Sequence, residues 1–228
     1  MRDWLQRALW DVVPDDGRVT PSALRRRQVI TVGVIAAGAA VLGVSLRIEP
    51  GSNWFYPATT VLALIWIVGA VASGPLPLGR IAGKDRLRRP ILSPILIGLI
   101  LAGIFVVGAV VVRQVPVLEA DANSVAEQAA RGSLPLLVLI TAINGIGEEL
   151  FFRGAAYAAI VRHQVAWTTA AYTATTLATG NVLLTFAAAV LGIVVGLERR
   201  ASGGILAPVL THVTWSLAML FALPPLFG

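Results

Sequence analysis

Seven apolar stretches dominate this sequence, and they constrain the fold more than any other feature. Five approach the roughly 20 residues that a helix needs to cross a hydrocarbon core of about 30 Å, and the fifth and sixth stretches are shorter. Such stretches form helices, because backbone polar groups in lipid have to be satisfied within the chain. The expected spans are Val29 to Leu46, Phe55 to Gly74, Ile91 to Val112, Leu134 to about Phe152, Ala166 to Gly180, Val182 to Leu197 and Ile205 to Phe227.

The composition excludes a water-soluble domain. The chain is 57% hydrophobic and 13% charged, whereas soluble domains average roughly 45 to 50% and 25%. Cysteine is absent, so disulfides, thiolate metal ligands and a cysteine nucleophile are excluded. The net charge of +6 comes from residues between the apolar stretches, which favours anionic lipid over nucleic acid as a partner. We therefore predict an all-α polytopic transmembrane helix bundle with about seven spans.

The arginines predict an orientation, because cytoplasmic loops carry an excess of Lys and Arg. A cytoplasmic N-terminus leaves 15 basic residues inside, Lys84 among them, and three outside. The longest external loop, Gln114 to Ser133, is acidic through Glu119, Asp121 and Glu127. We expect a multi-pass protein of the cell membrane, the plasma membrane of a bacterium.

Three parts of the chain differ in what they contribute. Residues 1–28 form a cytoplasmic segment, either with a short interfacial helix or as a frayed terminus. Residues 29–132 hold the first three spans, in which we recognise no motif. Residues 133–228 hold the remaining spans and the candidate chemistry. Gly192 and Gly196 are spaced for close helix packing in the sixth span.

The pair Glu148-Glu149 and the nearby Arg153 are the most informative ionisable residues, since charges at membrane depth are costly and usually mark a site. Glu149 precedes Arg153 by four residues, the favourable order for an ion pair on a helix. Glu148 shares another face with Asn144 and Thr141. We expect Arg153 to hold Glu149 inside the bundle on a helix that continues beyond residue 154, leaving Glu148 free as a base. The alternative is that both carboxylates are structural.

Two motifs carry a resemblance to a known family. The run from Glu148 to Gly154 resembles the E-E-x-x-x-R motif of the CPBP intramembrane proteases, the CAAX protease and bacteriocin-processing or Abi family. The stretch leading to His212 is similar to the region before that family's H-x-x-x-N motif. The resemblance covers roughly residues 134 to 216.

The resemblance implies that Glu148 activates a water that attacks a peptide carbonyl, assisted by the histidine of a middle motif and by the histidine and asparagine of the H-x-x-x-N motif. The middle motif, F-x-x-x-H, falls on residues 177–181, where Asn181 replaces the histidine, and Ser216 replaces the asparagine of the last motif. Asn181 alternatively closes a helix, and His212 alternatively bonds to a neighbouring helix. The candidate catalytic residues are Glu148, Glu149, Arg153, Asn181, His212 and Ser216.

A metal is not required by these residues. The chain has two histidines, His163 and His212, and no H-E-x-x-H motif, whereas structural zinc takes four and catalytic zinc three protein ligands. We expect no cofactor. If a divalent metal binds, it binds weakly, at Glu148 and His212.

Three hypotheses for function remain open. The first is an intramembrane endopeptidase acting on a membrane-associated peptide or protein. The second is a non-catalytic member of the same family, serving bacteriocin immunity or scaffolding, which the replaced motif residues favour. The third is a proton-coupled transporter that uses Glu148 and Glu149 as a relay, but the related halves expected of many transporters are missing.

The last span is expected to be kinked, because Pro208 lies four residues before His212.

Overall fold

The computed structural model describes residues 2–13, 20–82 and 86–227. Lys84 therefore lies outside the described residues, and the predicted orientation of the termini stays a prediction. Within those ranges the chain is a bundle of helices with one two-residue strand pair, β1 (Ile81–Ala82) against β2 (Leu87–Arg88). The predicted all-α polytopic class is confirmed.

Six helical segments in the described part of the chain are long and apolar enough to cross a membrane. They are α2 (Pro21–Ser45), α3 (Phe55–Ser73), α4 (Leu92–Val112), the continuous segment Leu134–Ala159, α9 (Val182–Ser202) and Leu206–Phe227, which contains α10 (Leu206–Ala222) and α11 (Pro224–Phe227). The predicted fifth span is α8 (Gln164–Leu177), a helix of only 14 residues. It is too short to count among the six.

Two shorter helices flank the spans. Helix α1 (Arg2–Leu9) lies against the end of α9, where the backbone N–H of Val13 donates to the carbonyl of Ala201 at 3.0 Å. Helix α5 (Pro116–Arg131) replaces the loop expected between the third and fourth spans. Proline in its first turn and a run of Ala, Glu and Gln favour this helix.

Helices α8 and α9 pack closely through the two glycines of α9. A β-carbon added at Gly192 would lie 3.0 Å from Cγ2 of Thr169, and one added at Gly196 would lie 2.9 Å from Cγ1 of Val165. The two glycines thus allow the close helix packing that their spacing predicts. As a result, α9 lies close enough to be contacted by side chains from the centre of the bundle.

An extended segment, residues 74–80, fixes the start of α10. The backbone N–H groups of Ile205 and Leu206 donate to the carbonyls of Pro77 and Leu78 at 2.9 and 3.1 Å. Gly204 lies so close to this segment that a β-carbon there would overlap its backbone. These bonds set the position from which α10 carries His212 into the bundle.

The structure gives no reason for the kink that was predicted at Pro208. Helix α10 begins at Leu206, so Pro208 falls in its first turn, where the N–H would have had no partner within the helix. The kink was predicted from a helix that began one residue earlier and continued through the proline.

Candidate active site

The segment that carries the two glutamates changes helix type directly after them. Helix α6 (Leu134–Glu149) continues as a π-helix over Leu150–Ala156 and ends as α7 (Tyr157–Ala159). Because π-helical turns are rare and are frequently found at functional sites, this is a notable position for such a turn. The helix therefore does continue beyond residue 154, and it carries Arg153 inside the bundle, where the side chain has no solvent exposure.

Glu149 is the anchor of the site. Its side chain is fully buried, and one carboxylate oxygen, Oε1, accepts from Nη1 of Arg153 at 3.1 Å. The same oxygen lies 2.8 Å from Nδ1 of His212. The predicted contact between Glu149 and Arg153 is thus present, and it extends to a third residue from the last span.

Arg153 is held on several sides. Its Nη2 donates to the carbonyl of Gly192 at 3.2 Å, and its guanidinium carbon lies 4.9 Å from the centre of the Tyr172 ring. The backbone carbonyl of Arg153 in turn accepts from Nε of Arg199 at 2.8 Å. A side chain bound in this way joins α9 and α8 to the helix of the glutamates.

His212 lies between the two glutamates. With Glu149 ionised, Nδ1 carries the proton and donates to it, so Nε2 is the free nitrogen of the neutral ring. Nε2 lies 3.9 Å from Oε2 of Glu148, too far for a direct hydrogen bond. Both residues remain slightly accessible, with 6% and 15% of their side chains exposed.

Glu148 has a partner that the sequence reasoning missed. The hydroxyl of Tyr172 donates to Oε2 of Glu148 at 2.6 Å, a length typical of a bond to a carboxylate. Tyr172 comes from α8, and its ring packs on Phe152 with ring centres 5.0 Å apart. The sequence held one usable signal, because Glu148 and Tyr172 are equally far from the turn at residue 160 in an antiparallel helix pair.

Asn181 does not join this cluster, which corrects the placement expected from the middle motif. Its Oδ1 accepts from the N–H of Leu184 and caps α9, and its Nδ2 donates to the carbonyl of Asp121 at 2.9 Å and lies 3.3 Å from Oγ of Ser124. The amide is thus occupied at the end of the bundle near α5. The alternative, that Asn181 closes the fifth span, is right about a helix end but not about which one, because Asn181 begins α9 and α8 already ends at Leu177.

Ser216 lies one helical turn beyond His212 and is half-buried. No hydrogen bond from its hydroxyl is found within the described residues. Trp215, beside it, packs its ring 6.3 Å from that of His212. The position of Ser216 is compatible with the predicted assisting role, which stays a prediction.

A third buried carboxylate, Glu198, lies near the site. Its Oε1 is 2.9 Å from Oγ1 of Thr211, the residue before His212, and this hydroxyl also lies 3.0 Å from the carbonyl of Pro94. Glu198 directly precedes two arginines at the end of α9, and the structure buries it between α4, α9 and α10.

The residues of the site do not fit a zinc ion. Among the described residues no group of three or more His, Asp or Glu side chains is arranged to hold a metal. Glu148 and His212 are two potential ligands, and Glu149 is already bound by Arg153 and His212. A catalytic zinc needs three protein ligands, so we derive no step through a metal.

Comparison with known proteins supports the motif resemblance. Residues 130–218, less than half of the chain, match a family model described as type II CAAX prenyl endopeptidase Rce1-like. Neither the curated proteins nor the solved structures gave a match. The matched range contains all six candidate catalytic residues and Tyr172.

Proposed function

We propose that this chain is an intramembrane endopeptidase, because residues 130–218 match a family model described as type II CAAX prenyl endopeptidase Rce1-like. Its substrate is a membrane-associated peptide or protein, and prenylated C-termini are the class that the family description names. We further propose that it works in the plasma membrane of a bacterium.

One observation carries the proposal: Glu148 and His212 face each other at 3.9 Å, and each is oriented by a different partner. Tyr172 holds Glu148, and Glu149 holds His212. A water bonded to both facing atoms at about 2.8 Å would subtend an angle of about 90°, which a single water can accommodate.

The proposed reaction is general-base hydrolysis. Glu148 takes a proton from the water, whose oxygen attacks the carbonyl carbon of the peptide and forms a tetrahedral oxyanion. As the carbon–nitrogen bond breaks, the same proton passes from Glu148 to the leaving amine. His212 either orients the water through Nε2 or, when protonated, donates from Nε2 to the oxyanion.

A non-catalytic role in binding or shielding a membrane partner is the second candidate. It is favoured by Asn181, which replaces the histidine of the middle motif and whose amide is occupied at the other end of α8. A protein of this kind would keep the buried cluster for its stability alone.

Proteolysis of a membrane-peptide library by the purified protein separates the two. We expect cleavage by the unaltered protein and none by Glu148→Ala. Glu127→Ala is the matched control, because that carboxylate is exposed and pairs only with Arg131 among the described residues. Product from both the unaltered protein and Glu148→Ala, or from neither, would contradict the proposal.

Chelation provides a separate prediction. Because the donor set lacks a third ligand, we expect EDTA or phenanthroline to slow cleavage little, and protein purified without added metal to contain far less than one zinc per chain. Elemental analysis and a chelator titration check this. Stoichiometric zinc, with cleavage abolished by the chelator and restored by zinc, would show that the site is a metal centre.

A further inference from the structure

A groove runs between α8 and α9. Its volume is about 680 Å³, within the roughly 300 to 1,000 Å³ common for ligand sites. Apart from its polar end, the groove is lined by apolar or small side chains, namely Val165, Ala166, Ala170, Ile193 and Leu197. Of these, Ile193 is 51% exposed, and Trp167 beside the groove is 61% exposed. The groove therefore opens on the side of the bundle that would face the hydrocarbon of a membrane.

The mouth of the groove is polar and positively charged. Arg200 and His163 line it, and both are exposed. Neither has an ion pair within the described residues. The neighbouring Arg199 is buried and does not line the groove, because it donates to the carbonyl of Arg153 and lies over the ring of Tyr157. Arg200 is therefore the arginine of this pair that faces the groove.

The start of α8 adds further hydrogen-bond donors at the same place. His163 precedes the helix in the left-handed conformation, with φ of 54°, and no side chain caps the first turn. The first N–H groups of a helix have no partner within it, and together with the helix dipole they favour a bound anion. Gln164 and Val165 begin the helix and also line the groove.

The floor of the groove contains one more unsatisfied donor. The hydroxyl of Thr169 is buried and has no hydrogen-bond partner within the described residues. Thr169 contacts Gly192, whose carbonyl binds Arg153. Gly192 thus neighbours both a residue that lines the groove and a residue of the candidate active site.

We propose that this groove binds an anionic phospholipid of the surrounding bilayer. The phosphate lies between Arg200, His163 and the first turn of α8, and an acyl chain lies along the apolar lining toward Ile193. A positively charged mouth above a hydrocarbon-lined groove matches an anionic head joined to a long chain, and the sideways opening matches a ligand that arrives from the lipid. The bound lipid stabilises the packing of α8 on α9.

Lipid binding to the full-length protein in detergent tests the proposal. Dioleoyl phosphatidylglycerol and dioleoyl phosphatidylcholine have the same acyl chains and differ in their headgroups. A difference between them in binding, measured by native mass spectrometry, or in the unfolding midpoint therefore reports the contribution of the headgroup. We expect phosphatidylglycerol to bind about tenfold more tightly, in line with a charge-assisted hydrogen bond. Arg200→Gln should remove this preference, and Ala170→Phe, which fills the groove, should weaken binding of the lipid itself.

Arg162→Gln is the matched control, because Arg162 is exposed in the same turn but does not line the groove. It should keep the preference for phosphatidylglycerol. Equal binding of the two lipids, or equal effects of Arg200→Gln and Arg162→Gln, would overturn the proposal. A lipidated peptide with a free C-terminal carboxylate that binds where phosphatidylglycerol does not would also overturn it and would assign the groove to substrate.

Discussion

Replacing Arg153 with alanine should lower the free energy of unfolding by about 3 to 5 kcal/mol, the usual cost of leaving a buried charge without its partner. The side chain is fully buried and binds Glu149 and the carbonyl of Gly192. Its loss leaves His212 as the one hydrogen-bond partner of the Glu149 carboxylate in the part of the chain that the structure describes, and it removes the ring contact with Tyr172. Unfolding of the purified protein in mixed micelles of increasing denaturing detergent measures the change.

The double variant Arg153→Ala with Glu149→Gln should recover part of this loss, because the amide removes the uncompensated charge. The matched control is Arg131→Ala, which breaks the exposed pair with Glu127 at the same i, i+4 spacing. That pair should contribute only about 0.3 to 0.5 kcal/mol. Equal effects of the two arginine variants would mean that the Glu149–Arg153 pair is solvated. A double variant no more stable than Arg153→Ala would mean that the uncompensated charge of Glu149 is not the cause of the lost stability.

The contact between Glu149 and Arg153 was predictable because it is local. Four residues on one helix bring the two side chains together whatever surrounds them, and the structure has them 3.1 Å apart. The helix also continues beyond residue 154, but this was predicted from the depth at which Glu148 would meet Asn181, and the structure does not bring these two residues together. The π-helical turns did not follow, because no periodicity in the residues marks them.

Contacts between helices were harder to predict because they depend on where each helix ends. The expected meeting of Glu148 and Asn181 assumed that the helix continued to Arg162 and that the next one reached Asn181. Helix α7 ends at Ala159 and α8 ends at Leu177, so the depths of the two residues differ. Tyr172 lies at the depth of Glu148 instead and bonds to it. The middle motif, in which Asn181 replaces the histidine, does not include Tyr172 and so gave no reason to expect this contact.

Glu148→Gln should reduce single-turnover cleavage by about 10² to 10⁴, the usual contribution of a general base. Glutamine keeps the size of the side chain and can still accept from the hydroxyl of Tyr172, which lies 2.6 Å from Oε2 of Glu148. The loss would therefore report the missing base rather than a disturbed fold. His212→Ala should cost about 10² to 10³, whether its ring orients the water or donates to the oxyanion.

Tyr172→Phe and Asn181→Ala separate the structure-based site from the motif-based one. Phenylalanine keeps the ring that packs on Phe152 and Arg153 and removes only the hydroxyl, so the rate should fall about ten- to a hundredfold, as for a lost hydrogen bond to a charged group. Asn181→Ala removes the N-cap of α9 and should reduce stability by about 1 kcal/mol while leaving the rate of the folded protein nearly unchanged. The opposite result would be a large rate loss for Asn181→Ala at an unchanged unfolding midpoint, with no rate loss for Tyr172→Phe. It would mean that Asn181 reaches Glu148 in the active conformation, and that the hydrogen bond from Tyr172 to Glu148 forms only in a resting conformation.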